Sequence, residues 1–264
     1  MLPRSPRAPR LAVPLLLAVL LGVPACAGDE ARSASPAPSS SRAMSPSPSV
    51  SDTALPPAVQ GMEPCPGDED KKFELEAGGY SFSGMRRGRG DSVAIMSHQV
   101  RGTPCDLAAL AARLATEGFR VISWTAEPSA DVTALQTLVE VERRRGARQV
   151  VLVGASKGAT ASLYVAGTVR PAVDAVVALS PGDYAAEPGD LLPAVRRYRG
   201  PMMVVTAEQD VAIADIPPEL ARVHEGAEQV EVLPGISDHG KLLVSRRDTP
   251  VADAVSEFLG SAAG

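Results

Sequence analysis

A serine lies between two glycines in the run Gly154-Ala155-Ser156-Lys157-Gly158. The unbroken apolar run from Val150 to Val153 before it predicts a buried parallel strand, and the small residues after it favour a helix. A serine on so sharp a turn takes a strained backbone conformation, and glycines remove the Cβ atoms that would collide with neighbouring backbone. The N-terminus of the helix then directs backbone N–H groups and a positive dipole end towards the serine. Ser156 is therefore a candidate nucleophile.

Phosphate and metal chemistry fit the sequence poorly. A phosphate-binding P-loop needs Gly-Lys-Ser/Thr in that order, whereas here Lys157 precedes Gly158. The chain has no HExxH run and no paired Cys/His spacing typical of metal ligands, so we expect neither a metal site nor a cofactor.

The pattern around Ser156 resembles the nucleophile elbow of α/β-hydrolases. The resemblance implies an α/β fold with a mostly parallel central sheet and helices on both faces. It also implies roles for three residues in the family's chain order: Ser156 as the nucleophile, Asp210 as the orienting acid and His239 as the general base. Other acids remain open at this point, namely Glu208, Asp215 and Asp183, because some members of the family carry the acid one strand earlier.

The chain has three histidines, which narrows the choice of base. His224 lies in a predicted polar helix, and a solvated position is expected for it. His98 follows the third predicted strand, where the family's oxyanion loop begins. His239 alone follows the last predicted strand, as the family's base does.

The resemblance further implies an oxyanion hole made by two backbone N–H groups. Lys157, directly after the serine, supplies the first. Many relatives have His-Gly in the loop that supplies the second, whereas this chain has His98-Gln99. The donor is therefore Gln99 or Val100, and the side-chain amide of Gln99 is a further alternative.

Apolar periodicity predicts the elements that position these residues. An antiparallel edge hairpin is expected over 72–77 and 80–83, followed by Arg86, Arg87 and Arg89 in a solvated turn. Further strands are predicted at 93–96, 120–124, 150–153, 175–179, 202–205 and 229–233, and helices at 106–117, 130–145, 217–225 and 251–259 besides the one after Ser156. Few residues separate the strand ending at 179 from the next, so we expect a small or absent cap domain.

The first sixty residues do not belong to the folded domain, which we place at 61–264. Three arginines and a short apolar segment make residues 1–25 a predicted signal peptide. Residues 26–60 are rich in Ser and Pro and form a predicted disordered tether. The run Val23-Pro24-Ala25-Cys26 resembles the bacterial lipobox, which implies lipid attachment at Cys26 and a membrane anchor. Simple cleavage and secretion is the alternative, since Pro24 is unusual in that motif.

Cysteine usage and charge constrain the exported domain. Two cysteines remain after Cys26, and in an exported protein Cys65 and Cys105 are expected to form a disulfide. The formal net charge is −5. The only charged side chains in the predicted signal peptide are arginines, so its cleavage would leave a mature protein with a more negative net charge. Nucleic acid is therefore not an expected partner.

Together these features predict an exported serine hydrolase that cleaves a carboxylic ester or a related small acyl compound. The same triad would serve an acyltransferase if an acceptor alcohol replaced water. A non-catalytic binding lipoprotein of the cell envelope that keeps the fold is the alternative of a different class.

Overall fold

The folded chain begins with an antiparallel hairpin. The computed structural model of the chain describes Cys65 and residues 71–127, 131–182, 191–210, 220, 229–245 and 250–262. Strand β1 (Lys71–Ala77) pairs antiparallel with β2 (Tyr80–Arg87), and β1 lies at the sheet edge. The predicted edge hairpin is therefore confirmed. The predicted signal peptide, the tether and Cys26 lie outside the described residues.

A single eight-stranded sheet organises the described residues. The remaining strands are β3 (Ser92–Ser97), β4 (Arg120–Glu127), β5 (Gln149–Ala155), β6 (Ala175–Leu179), β7 (Met202–Ala207) and β8 (Gln229–Leu233). Their spatial order is β1-β2-β4-β3-β5-β6-β7-β8. The pairs β1–β2 and β2–β4 are antiparallel, and the other five pairs are parallel. The mostly parallel sheet predicted from the sequence is confirmed.

Helices cover both faces of this sheet. They are α1 (Ala108–Thr116), α2 (Asp131–Arg144), α3 (Lys157–Thr168), α4 (Leu191–Arg197), α5 (Leu242–Ser245) and α6 (Val251–Ala262). One buried cluster joins one sheet face to α2, α3 and α4, and a second joins the other face to α1, α5 and α6. Val93 and Ile95 belong to the first cluster, whereas Ala94 and Met96 belong to the second. The central strands are apolar throughout because they bury both faces. None of the described helices has the length and apolar character needed to cross a membrane.

The predicted solvated turn of arginines holds for Arg89, which is exposed in the loop after β2, but is wrong for Arg86 and Arg87. Strand β2 continues to Arg87, because Arg86 pairs with Lys71 of β1 and Arg87 pairs with Val121 of β4. Arg87 is buried, and the Arg86 guanidinium lies 5.4 Å from the centre of the Phe73 ring. The apolar part of a long arginine side chain can cover apolar surface, so the charge of these residues was not enough to predict that they are exposed.

Two short helices were not predicted: α4, between β6 and β7, and α5, which begins three residues after His239. The helix predicted at 217–225 lies outside the described residues except for Leu220. The described part of the connection between β6 and β7 contains one helix of seven residues.

The structure joins Cys65 to Cys105 in a disulfide, with an S–S distance of 2.12 Å and a Cα–Cα distance of 5.0 Å. The bond spans 40 positions of sequence, a stretch that includes the β1–β2 hairpin and β3. It attaches Cys65 to the segment just before α1. Cys65 itself is buried.

Candidate active site

Ser156 lies at the turn between β5 and α3, at the carboxyl end of a central strand. Its backbone has φ 52° and ψ −116°, a region that side-chain-bearing residues rarely adopt. A Cβ on Gly154 would lie 2.5 Å from Ala159 N and closer to Gly158 O. A Cβ on Gly158 would lie 2.7 Å from His98 O and closer to Ser97 O. The two glycines are therefore needed for close backbone approach, as the sequence indicated.

Three side chains from separate loops meet in one line of hydrogen bonds. His239 Nε2 lies 2.8 Å from Ser156 Oγ, and His239 Nδ1 lies 2.7 Å from Asp210 Oδ2. The ring can accept from the serine hydroxyl through Nε2 when its Nδ1–H donates to the carboxylate. The Asp210 side chain is only 4% exposed, whereas the His239 side chain is 29% exposed. The line thus runs from a buried carboxylate through a half-buried imidazole to the serine.

Of the other candidate acids, Glu208 is the one that the structure describes. Glu208 lies on the same loop as Asp210, but its carboxylate accepts from the backbone N–H of Gly235 at 2.8 Å. Asp183 and Asp215 lie outside the described residues. Asp210 is therefore the candidate acid with a recorded contact to His239.

The remaining histidines differ from His239 in position. His98 follows β3, and its Nδ1 lies 2.8 Å from Gln99 O, so it belongs to the loop beside the elbow. His224 lies outside the described residues.

The two residues predicted to form the oxyanion hole lie on loops that pack together. Lys157 is the first residue of α3. The close approach of Gly158 to the carbonyl groups of Ser97 and His98 brings the loop after β3 against the start of this helix. Backbone N–H groups in the first turn of a helix lack helical acceptors, and the helix dipole adds positive potential there. The arrangement suits stabilisation of a developing negative charge beside Ser156.

The Gln99 side chain has another partner. Its Oε1 accepts a hydrogen bond from the backbone N–H of Lys241 at 3.2 Å. The side chain therefore links the loop after β3 to the loop that carries His239. This contact uses Oε1 alone, so the backbone N–H and the side-chain N–H groups of Gln99 both stay candidate oxyanion donors. Val100, the other candidate, is 49% exposed.

Sequence reasoning missed three residues that hold the His239 loop. Ser180 Oγ accepts from the backbone N–H of Gly240 at 3.0 Å. Lys241 Nζ lies 2.9 Å from Asp106 Oδ1, in an ion pair whose aspartate is 5% exposed. Ser180 follows β6 at the edge of the sheet where ligands bind in such folds, and that position was the only available clue. Within the described part of the chain, no group of three or more His, Cys, Asp or Glu side chains could hold a metal ion.

Solved structures share this architecture, although no protein-family model and no curated protein matches the chain. Est1E from Butyrivibrio proteoclasticus is 15% identical over 73% of this chain and 98% of its own, with a TM-score of 0.57. The esterase Pf2001 from Pyrococcus furiosus is 14% identical over 83% and 97%, with a TM-score of 0.62. The epoxide hydrolase VrEH1 from Vigna radiata is 14% identical over 74% and 99%, with a TM-score of 0.59. This chain has the α/β-hydrolase fold.

Proposed function

We propose that this chain is an exported serine hydrolase that cleaves a carboxylic ester or a related acyl compound. The observation that carries the proposal is the continuous line of hydrogen bonds from Ser156 through His239 to Asp210. Fold alone does not decide function, since one fold hosts many reactions. The line of contacts, by contrast, has the geometry that a hydroxyl needs to become a nucleophile.

In the proposed first step Ser156 Oγ attacks the carbonyl carbon of the substrate while its proton passes to His239 Nε2. The imidazole becomes cationic, and the buried Asp210 carboxylate stabilises it through the bond to Nδ1. The carbonyl oxygen takes the negative charge of the tetrahedral intermediate. The backbone N–H groups of Lys157 and Gln99, at the meeting point of α3 and the loop after β3, are the proposed donors to it.

In the second step the intermediate collapses. His239 returns the proton to the leaving alcohol, and an acyl group remains on Ser156 Oγ. A water molecule then loses a proton to His239 as its oxygen attacks the acyl carbon. Collapse of the second intermediate releases the acid, and His239 returns its proton to Ser156 Oγ.

The proposed location is the outer face of a cell membrane, with a diacylated Cys26 as the anchor. The short apolar segment before Cys26 and the Ser/Pro-rich stretch after it support this. Two acyl chains give stable membrane association, which one chain does not. A flexible tether of this length averages roughly 30 Å end to end, enough to hold the domain clear of lipid.

Turnover of a panel of chromogenic esters and amides tests the proposed function. The purified domain should hydrolyse esters with burst kinetics, because the acyl-enzyme accumulates when its hydrolysis is slower than its formation. Ser156→Ala should abolish turnover. Adding acceptor alcohols would reveal an acyltransferase as ester products in place of acid. A folded wild-type protein with no turnover of any ester or amide, with or without alcohol, would contradict the proposal.

A further inference from the structure

The loop that carries His239 is attached to a serine with no role in the proposed chemistry. Ser180 directly follows β6, and its hydroxyl accepts the backbone N–H of Gly240 at 3.0 Å. The two residues are 60 positions apart in sequence, and Ser180 is fully buried at 0% exposure. The contact therefore joins two loops that no local sequence pattern connects.

The backbone of Ser180 is held in an unusual conformation. Its φ is 50°, and the other non-glycine residues with positive φ in the described chain are Ser156 at 52° and Arg101 at 59°. All three lie in loops after the carboxyl ends of parallel strands. The N–H of Ser180 also donates to Val205 O at 2.8 Å, which fixes the residue to β7. Strained backbone persists where the surrounding structure over-determines it, and such residues cluster at active sites.

Gly240 transmits the position of this loop to the candidate triad. It directly follows His239 and has φ 57°; a Cβ there would lie 2.7 Å from Gln99 Oε1 and in ordinary contact, at 3.5 Å, with Ser156 Cβ. A displacement of Gly240 therefore changes the distance between the imidazole and the serine. The next residue, Lys241, is held by Gln99 Oε1 and by the ion pair with Asp106. Ser180 thus binds the residue directly after His239, whose own carbonyl accepts from the backbone N–H of Leu242 at 3.2 Å.

We propose that Ser180 is a positioning residue that sets the orientation of His239 by accepting the N–H of Gly240, an inference that rests on the proposed function. Without the hydroxyl, the buried backbone N–H of Gly240 loses its acceptor. A shift of the loop that brings this N–H to another acceptor then lowers the free energy. Asp210 would still bind Nδ1, but Nε2 would no longer be held at hydrogen-bonding distance from Ser156. Reactions of this kind are sensitive to shifts of about 1 Å in a catalytic group.

The test compares Ser180→Ala with Ser162→Ala. Ser162 is equally buried, and its hydroxyl also bonds to a backbone group, the carbonyl of Gly158 at 2.7 Å, but it does not touch the His239 loop. We expect Ser180→Ala to lower kcat roughly 10- to 100-fold with KM nearly unchanged, and Ser162→Ala to leave both near wild type. Ser180→Cys, which keeps a weaker acceptor at the same place, should fall between wild type and Ser180→Ala.

Nitrogen NMR of histidine-labelled protein reads the orientation directly and needs no substrate. The chain has three histidines, so His239→Asn identifies the resonances of His239 by their loss. In wild type they should show one tautomer, protonated at Nδ1. In Ser180→Ala they should move towards a mixture of tautomers, and in Ser162→Ala they should not move.

Unchanged His239 resonances and unchanged kcat in Ser180→Ala, with a lowered melting temperature, would overturn the assignment and leave Ser180 a purely structural residue. If Ser180→Ala does not fold, the same comparison is made with Ser180→Cys. Absence of ester turnover in wild type would contradict the proposed function instead, and the NMR comparison would still decide the role of Ser180.

Discussion

Replacing Gly158 by alanine should separate the two loops that are proposed to stabilise the oxyanion. The added Cβ would lie 2.7 Å from His98 O and closer still to Ser97 O, whereas ordinary contact begins at 3.4 Å, so one side must move by more than about 0.7 Å. Neither side can absorb the shift through a flexible side chain, because the obstructing atoms are backbone carbonyls. The shift moves Lys157 away from the loop that carries Gln99. We expect kcat to fall roughly 10- to 100-fold, which corresponds to about 1.4–2.7 kcal/mol in the activation free energy.

The matched control is Gly167→Ala in the same helix. A Cβ at Gly167 would lie 2.9 Å from Ala194 Cα and closer to Ala194 O, so the overlap is again with backbone, but it lies at the far end of α3 from Ser156. Both variants should lose thermal stability, and only Gly158→Ala should lose kcat per mole of folded enzyme. Steady-state kinetics with a chromogenic ester and thermal melts of both variants give the comparison. Equal kcat in the two variants would refute the role given to the loop after β3.

Three further predictions concern the triad acid, the disulfide and the anchor. Asp210→Asn should lower kcat by about 10⁴-fold without unfolding the domain, because His239 then loses the tautomer it needs. Glu208→Gln should leave kcat near wild type. A loss of kcat in Asp183→Asn with none in Asp210→Asn would show that the acid is misassigned. Reducing the Cys65–Cys105 bond should cost about 2–4 kcal/mol of unfolding free energy and lower the melting temperature by roughly 4–16 °C. Two alkylatable thiols in the native protein would refute the pairing. Cys26→Ser should move the protein from the membrane fraction to the medium at unchanged specific activity, and an unmodified N-terminus at Cys26 or Ala27 in wild type would show plain secretion.

The elbow could be predicted from sequence because its constraints are local. Gly154, Ser156 and Gly158 lie within five positions. Each glycine is required because the strand-turn-helix geometry brings backbone atoms too close for a Cβ. The sheet was predictable for a similar reason, since its central strands are buried on both faces and read as continuous apolar runs. The positive charge of Arg86 and Arg87 led to the wrong prediction of a turn, because pairing of β2 with its two neighbouring strands decides the conformation there.

Contacts between distant loops could not be predicted in the same way. Asp210 and Glu208 leave the same strand two residues apart, and only the fold determines that one reaches His239 and the other Gly235. Ser180 and Gly240 are 60 positions apart, and Asp106 and Lys241 are 135 apart. A lone serine or an ordinary ion pair in a loop has no periodicity and no motif. Its partner becomes apparent only when the sheet brings the strand ends together.

Peptide mapping after fluorophosphonate labelling tests the nucleophile most directly. The probe reacts with a serine that a neighbouring base has activated, and it requires no knowledge of the substrate. We expect one labelled peptide, with the modification on Ser156, and we expect His239→Ala to abolish labelling while the domain stays folded. Labelling of a different serine, or ester turnover that survives in pure Ser156→Ala, would contradict the assignment of Ser156 as the nucleophile.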